Sequence, residues 1–323
     1  MSRLAVTGAG GFIGAHLTRA LLAEGHEVVA IDNYIRGRES RLSGAEGAIR
    51  RATLDVRDKE ALVEALSGVA CVFHLAAVNG TENFYTQPQL VLDVGVRGAL
   101  AVTEACIEAG VPDLVVASSA EVYQTPRVVP TNEDIEMVIP DALNPRYSYG
   151  GSKLISELIA FNYGRDTLRK VQVFRPHNVY GPDMGWKHVV PQLIEKIVAA
   201  GDGGSITLQG DGSETRAFCY VGDVVDGIVR MWRSGETMNV YHIGSMEEVA
   251  IRDLARIAAD ALGRRVELIA GPAAAGATPR RCPDIAKMAR LGYAPAVSLR
   301  EGIARTVAWY RDNPAPADSN PLL

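Results

Sequence analysis

The chain has 323 residues, 47% of them hydrophobic, with a mean hydropathy of +0.04 and a formal net charge of -5. That length buries a substantial core and exceeds one average domain, so a large domain with a smaller one appended is expected. The acidic balance and the lack of basic runs with interleaved aromatics exclude a nucleic-acid surface, and no apolar stretch reaches bilayer-spanning length.

The first element is Arg3-Leu4-Ala5-Val6-Thr7, a β-rich run followed at once by Gly8, Gly10, Gly11 and Gly14. From Phe12 to Glu24 the apolar residues Ile13, Leu17 and Leu21 recur at helical spacing. In such a strand, turn and helix, Gly8 and Gly11 let the backbone approach a pyrophosphate, and Gly14 lets helix pack on strand. The helix N-terminus then offers partial positive charge to the anion. Glycine turns also serve plain chain reversal, so context decides. Here a second strand, Glu27 to Ile31, ends in Asp32, whose carboxylate suits the ribose hydroxyls of an adenosine and repels a 2′-phosphate. NAD rather than NADP is therefore the expected cofactor, with Arg36 and Arg38 the residues that speak against it.

Strands are predicted at Ile49 to Leu54, Ala70 to Leu75, Leu114 to Ser118 and Val171 to Arg175. Helices are predicted at Lys59 to Leu66, Gln89 to Ala109 and Ser148 to Gly164, with Gly110-Val111-Pro112 stopping the second of these. This alternation implies an α/β fold, a Rossmann-type doubly wound parallel sheet. After Gly181-Pro182 the regularity lapses into helix Pro191 to Ala200, strand Ser205 to Leu208, helix Asp223 to Trp232, strand Asn239 to Ile243 and helix Ile251 to Leu262. The expected organisation is a Rossmann domain over 1–181 that also receives about 215–245. Residues 182–323 mainly form a smaller, discontinuous, mixed α/β substrate-binding domain, with a frayed tail from about Asn313.

Within the predicted helix at 148–164, Tyr149 and Lys153 stand four apart and face one side. An ammonium so placed lowers the phenol's pKa and makes Tyr149 a candidate general base. Cys71, Cys106, Cys219 and Cys282 are far apart and read as free thiols. With no charged leader ahead of the first strand, the cytoplasm is the expected location. Glu133, Asp134 and Glu136 have no histidine at ligand spacing, so they read as a solvated surface and no metal is expected. Trp232 and Trp309 read as core, and Trp186 as a substrate-side loop residue.

Over nearly its whole length the chain resembles the extended short-chain dehydrogenases/reductases, specifically the nucleotide-sugar epimerase/dehydratase group. The glycine turn with Phe12 and Ile13, Asp32-Asn33, Asp55-Val56, His74-Leu75-Ala76-Ala77 and Ser118-Ser119-Ala120-Glu121-Val122-Tyr123 carry the resemblance. Tyr149 with Lys153, and Arg175-Pro176-His177-Asn178-Val179-Tyr180-Gly181-Pro182, complete it. One departure is Gly95-Val96-Arg97-Gly98, where the family usually has Asn-Val-x-Gly.

The resemblance implies that Phe12, Ile13, Asp32 and Asn33 join the glycines in holding NAD, that Asp55 and Val56 hold its adenine, and that Leu75, Ala76 and Ala77 line it. It implies a catalytic set of Ser119, Tyr149 and Lys153, with His177 packed beside the nicotinamide. Asn178, Arg216 and Arg281, or its neighbour Arg280, are implied contacts of a nucleotide-diphosphate sugar. The Ser119-Ala120-Glu121 trio is similar to the Thr-Ser-Glu of GDP-mannose dehydratases and UDP-glucuronate decarboxylases. It lacks the Asp that dTDP-glucose dehydratases place before the glutamate. Glu121 is thus either a further acid/base or a structural group bonded to a backbone amide. His188 sits where related enzymes place a lysine near the sugar ring; with Glu121 it is similar to the acid/base pair of GDP-mannose 3,5-epimerases.

The implied activity is an NAD-dependent nucleotide-sugar epimerase, at C4, that passes through a transient keto-sugar and recycles its NAD. A 4,6-dehydratase or UDP-glucuronate decarboxylase using Glu121 is the alternative, and a non-catalytic dinucleotide sensor is a third reading. A homodimer through the helices at 89–109 and 148–164 is also implied.

Overall fold

The computed structural model describes residues 1–45, 49–272 and 278–314. The part of the predicted tail from 315 onward lies outside the described residues. Six parallel strands, β1 (Arg3–Thr7), β2 (Glu27–Ile31), β3 (Ile49–Ala52), β4 (Cys71–His74), β5 (Asp113–Ala117) and β6 (Lys170–Pro176), join the strand Asn239–Ile243 in one sheet. The order across it is Asn239–Ile243, β6, β5, β4, β1, β2, β3. Strand order reverses between β1 and β4, which opens a crevice at their carboxyl ends, where such sheets bind ligands. Strands β4 and β5 are buried at every position and read as near-continuous apolar runs, as sheets covered on both faces require.

Helix α1 (Phe12–Ala23) and the helix Val221–Ser234 cover one face, around a core that includes Leu17, Phe73, Phe174 and Ile228. Helices α2 (Lys59–Ala65), α5 (Gly98–Glu108) and α6 (Ser148–Gly164) cover the other. Between α2 and α5 run α3 (Thr81–Thr86) and α4 (Pro88–Leu92). A third core gathers under the helices Val189–Ala200, Ile251–Ala261 and Leu299–Asp312.

Several expectations need correction. The predicted helix at 89–109 is α4 and α5 joined by a π-helical turn, Asp93–Arg97. Gly95 lies in that turn, and a Cβ on it would stand 2.6 Å from both Cβ and Oγ of Ser152 on α6. The two helices therefore meet too closely for the family's asparagine; Ser156 Oγ donates instead to the Gly95 carbonyl, 3.0 Å.

Thr215–Ala217 is not part of the large sheet. It pairs antiparallel with Glu248–Ala250 and parallel with Arg280–Arg281, while Ser205–Thr207 pairs with Glu267–Ile269. Glu133 is not simply solvated, because its carboxylate accepts the His242 amide, 2.9 Å. Trp232 packs edge-on to Phe73 and donates Nε1 to Asp113, 3.1 Å, and Trp309 packs on the third core.

Candidate active site

The crevice is a cavity of about 640 Å³. Its floor is the turn after β1, where glycine is required on steric grounds. Gly8 adopts φ +72°, and a Cβ there would lie 2.9 Å from the Ala76 nitrogen; one on Gly11 would lie 2.9 Å from the Gly8 carbonyl. Gly14 has no room for a Cβ at all. The bare backbone of this turn thus packs where a side chain would collide, Gly8, Gly11 and Gly14 line the cavity at the start of α1, and the residues present fit a dinucleotide pyrophosphate. Thr7 fixes the next wall, since its hydroxyl bonds His74 Nδ1, 2.8 Å, and accepts the Ala76 amide, 3.3 Å. Phe12, Ile13, Val56, Leu75, Ala76 and Ala77 line the same half.

Asp32 also lines it, with its two carboxylate oxygens accepting the amides of Gly10 and Tyr34, each at 2.8 Å. Burial pushes its pKa upward against those bonds. Asn33 reaches the wall and donates Nδ2 to Asp55, 3.0 Å. Asp55 itself does not line the cavity. Arg57 grips both of its oxygens, at 2.8 and 2.7 Å, and holds the carboxyl down at about 2.

At the carboxyl end of β5, Ser119 caps the turn Ala120–Tyr123 by accepting the Glu121 amide, 3.2 Å. Its side chain also lies close enough to the Tyr149 phenol to favour the ionised form. Tyr149 can approach because Gly150 is bare; a Cβ there would lie 2.5 Å from Gln124 Nε2 and 2.8 Å from the Glu121 carbonyl. Phe84 stacks on the phenol ring at 5.1 Å between centroids.

Lys153 lies beneath, its Nζ 5.8 Å from the ring centroid and donating to the Ala117 carbonyl, 2.8 Å. The expected lowering of the phenol's pKa is absent from this environment. Burial pushes Tyr149 up to about 12, and the nearby Ser119 side chain only partly opposes it. Burial also draws Lys153 down to about 8 against the pull of Glu157.

Glu121, Asn178, His188 and Arg281 line the same cavity. Glu121 forms an ion pair with Arg281, Oε1 to Nη1 at 2.5 Å, and is therefore bound to a side chain rather than to an amide. Arg281 also donates to the Gln124 carbonyl, 3.2 Å. His188 precedes the helix Val189–Ala200, and burial with Arg36 nearby draws its pKa down to about 4. Trp186 lines the cavity too, packed edge-on against Tyr310.

Two further expectations fail. His177 is 1% exposed, does not line the cavity and packs its ring 4.7 Å from that of His242. Arg216 does not line the wall; it sits opposite Arg281 in the strand pair and donates to the Thr215 carbonyl, 2.8 Å.

Some residues escaped the sequence reading. Glu157, one helical turn beyond Lys153, accepts Arg175 through Nε at 2.8 Å and Nη2 at 2.6 Å, and also the Ser118 hydroxyl. Its i+4 spacing from Lys153 was a readable signal. Phe84 and Asp183, whose partners are distant in sequence, left none.

The sequence model of the NAD dependent epimerase/dehydratase family matches residues 4–244. The chain belongs to that family. NAD is the family's cofactor, and this NAD-dependent epimerase/dehydratase has relatives with different activities. A UDP-glucose 4-epimerase from Mycolicibacterium smegmatis is 33% identical over 320 residues, 96% of this chain and 99% of the relative. UDP-glucuronic acid decarboxylase 1 from Danio rerio is 31% identical over 311 residues, 95% of this chain and 72% of the relative. Among solved structures, a dTDP-glucose 4,6-dehydratase double mutant from Streptomyces venezuelae, with NAD bound, has a TM-score of 0.86 at 30% identity, covering 96% of this chain and 97% of that one. Among the described residues no helix is long and apolar enough to cross a membrane.

Proposed function

We propose that this enzyme is a nucleotide-sugar 4-epimerase that works through a transient keto-sugar. One observation carries the reading. Ser119 and Tyr149 line one cavity with Lys153 beneath the phenol ring, while Glu121, the adjacent carboxylate, is held by Arg281. Oxidation and re-reduction at one carbon need only the first three residues. Bound NAD supplies the hydride acceptor and donor, and a positive charge beside the phenol.

In this reading Tyr149 takes the proton of the C4 hydroxyl and later returns it. Ser119 holds the same oxygen, and Lys153, buried beneath the ring, would hold the ribose of the bound cofactor. Asn178 and Arg281 hold the nucleotide diphosphate, and His188, neutral above about pH 4, borders the sugar without donating a proton. The epimerase relative, covered over 99% of its length, supports this reading.

A lyase acting beside the ketone is the second reading. Glu121 favours it, because it lines the cavity two residues beyond Ser119. A homodimer through α4, α5 and α6 is also proposed, on the strength of the exposed Leu92, Ile155 and Leu158. The four cysteines, all unpaired, suit the cytoplasm.

The test is incubation with UDP-, GDP-, CDP-, ADP- and dTDP-sugars, read by mass spectrometry and sugar NMR. An epimer of unchanged mass supports the proposal; loss of water or carbon dioxide replaces it with the lyase. Tyr149→Phe should abolish turnover with NAD affinity nearly unchanged, and near-normal activity would remove Tyr149 from its role.

A further inference from the structure

The loop that follows Gly181-Pro182 brings Trp186, Lys187 and His188 to the substrate side of the cavity. It is fastened to the dinucleotide side at its first residue. Arg41 donates Nε to Asp183 Oδ2 at 3.0 Å, and Nη2 both to Oδ1 at 3.1 Å and to the Asp183 carbonyl at 2.8 Å. Arg38 pairs with the same carboxylate. The third nitrogen of Arg41, Nη1, donates to the Gly10 carbonyl at 3.1 Å, and the Arg38 amide donates to that oxygen at 2.9 Å. Gly10 belongs to the glycine turn, and its own amide is held by Asp32. One guanidinium therefore spans from the floor of the dinucleotide half to the rim of the sugar half.

Three features mark this contact as built rather than incidental. Arg41 is only 9% exposed and Asp183 20%, so the pair is screened less than a surface ion pair. Asp183 adopts φ +62°, a left-handed conformation uncommon outside glycine, and its carboxylate and its carbonyl both accept from Arg41. Two guanidiniums meet one carboxylate, which leaves net positive charge on a wall lined by both arginines and suited to an anion.

We propose that Asp183 is a positioning residue which, through Arg38 and Arg41, straps the sugar-side loop to the glycine turn, so that a bound dinucleotide leaves only when the strap opens. The inference rests on dinucleotide binding by the family and not on which sugar is turned over. Its failure and that of the 4-epimerase reading are therefore separate events. Slow release is what an enzyme that reuses one NAD requires.

The strap is tested by displacing NADH from the full-length protein with excess NAD and following nicotinamide fluorescence in a stopped-flow instrument. Asp183→Asn keeps the side-chain shape and tolerates a left-handed backbone, yet removes the charge. NADH should leave this variant about tenfold faster than the parent, the effect of losing one charge-assisted contact. Asp183→Glu, which retains the carboxylate, should fall between them. Raising the salt from about 0.05 to 0.5 M should speed release from the parent more than from Asp183→Asn. An acceleration below about threefold, in an Asp183→Asn protein with parental circular dichroism and melting, would overturn the proposal. Should that variant fold poorly, Arg38→Gln reads the same bridge from its other end, under the same threshold.

Discussion

Glu157→Gln separates the structural from the chemical part played by charge buried under the site. Glu157 and Arg175 have side chains 3% exposed each. Removing one partner of such a pair costs about 3–5 kcal/mol, because the remaining charge stays buried without compensation. Arg175 retains the Tyr123 hydroxyl and the Glu133 carbonyl, and the new amide retains one acceptor oxygen. The expected loss is therefore at the lower end, about 3 kcal/mol in urea unfolding.

The second effect falls on Lys153, which burial lowers to about 8 and the charge of Glu157 supports. At pH ~7.5 a group with a pKa of about 8 is roughly three-quarters protonated, and a further fall of about one unit leaves roughly one quarter. The alkaline limb of the pH–rate profile, measured on the substrate found by the sugar panel, should move down by about one unit. A variant within about 1 kcal/mol of the parent whose limb stays in place would refute the coupling.

Three other substitutions follow from the same geometry. Lys153 titrates near 8 in the folded chain against 10.5 in the unfolded one, so the folded state sheds its proton first and this group adds stability as pH rises between those values. In Lys153→Met, chemical denaturation across that window should lose the rise, and an unchanged slope would contradict the assignment.

His177 is held far below 6.5, so on acidification the unfolded chain takes the proton first and stability falls below that pH. His177→Leu should flatten the decline between pH ~6.5 and 5 in melting experiments while leaving NAD affinity unaltered; weakened NAD binding would return His177 to the cavity wall. Gly95→Asn, the family's usual residue, should cost about 1–3 kcal/mol by overpacking against Ser152, with much of it recovered in a chain that also carries Ser152→Gly. Absence of coupling between the two positions in a double-mutant cycle would mean the helices have room to spare.

The large sheet was legible because buried parallel strands leave continuous apolar runs, and β1, β2, β4, β5 and β6 lie where those runs are. The glycine turn and the Tyr149/Lys153 spacing were legible because both are local. Pairings across long separations were not. Arg41 and Asp183 are 142 residues apart and Arg281 and Glu121 are 160 apart, and no spacing rule says which cation meets which carboxylate. The burial of His177 off the cavity wall left no local signal. The chain leaves β6 after Pro176 and turns at Asn178, which adopts φ +38°, so strand alternation does not carry through His177. The pKa expectation for Tyr149 failed because sequence reveals a neighbouring amine but not the loss of water around a phenol.

The ion pair of Glu121 and Arg281 means that the cavity already contains an anion of its own. Any phosphate or carboxylate arriving at that guanidinium has to evict the resident one, so loading is an exchange of partners and not a simple gain of one. The new attraction is offset by the old one it breaks, and a displaced carboxylate stays tethered within reach, ready to reclaim its place and push the visitor out.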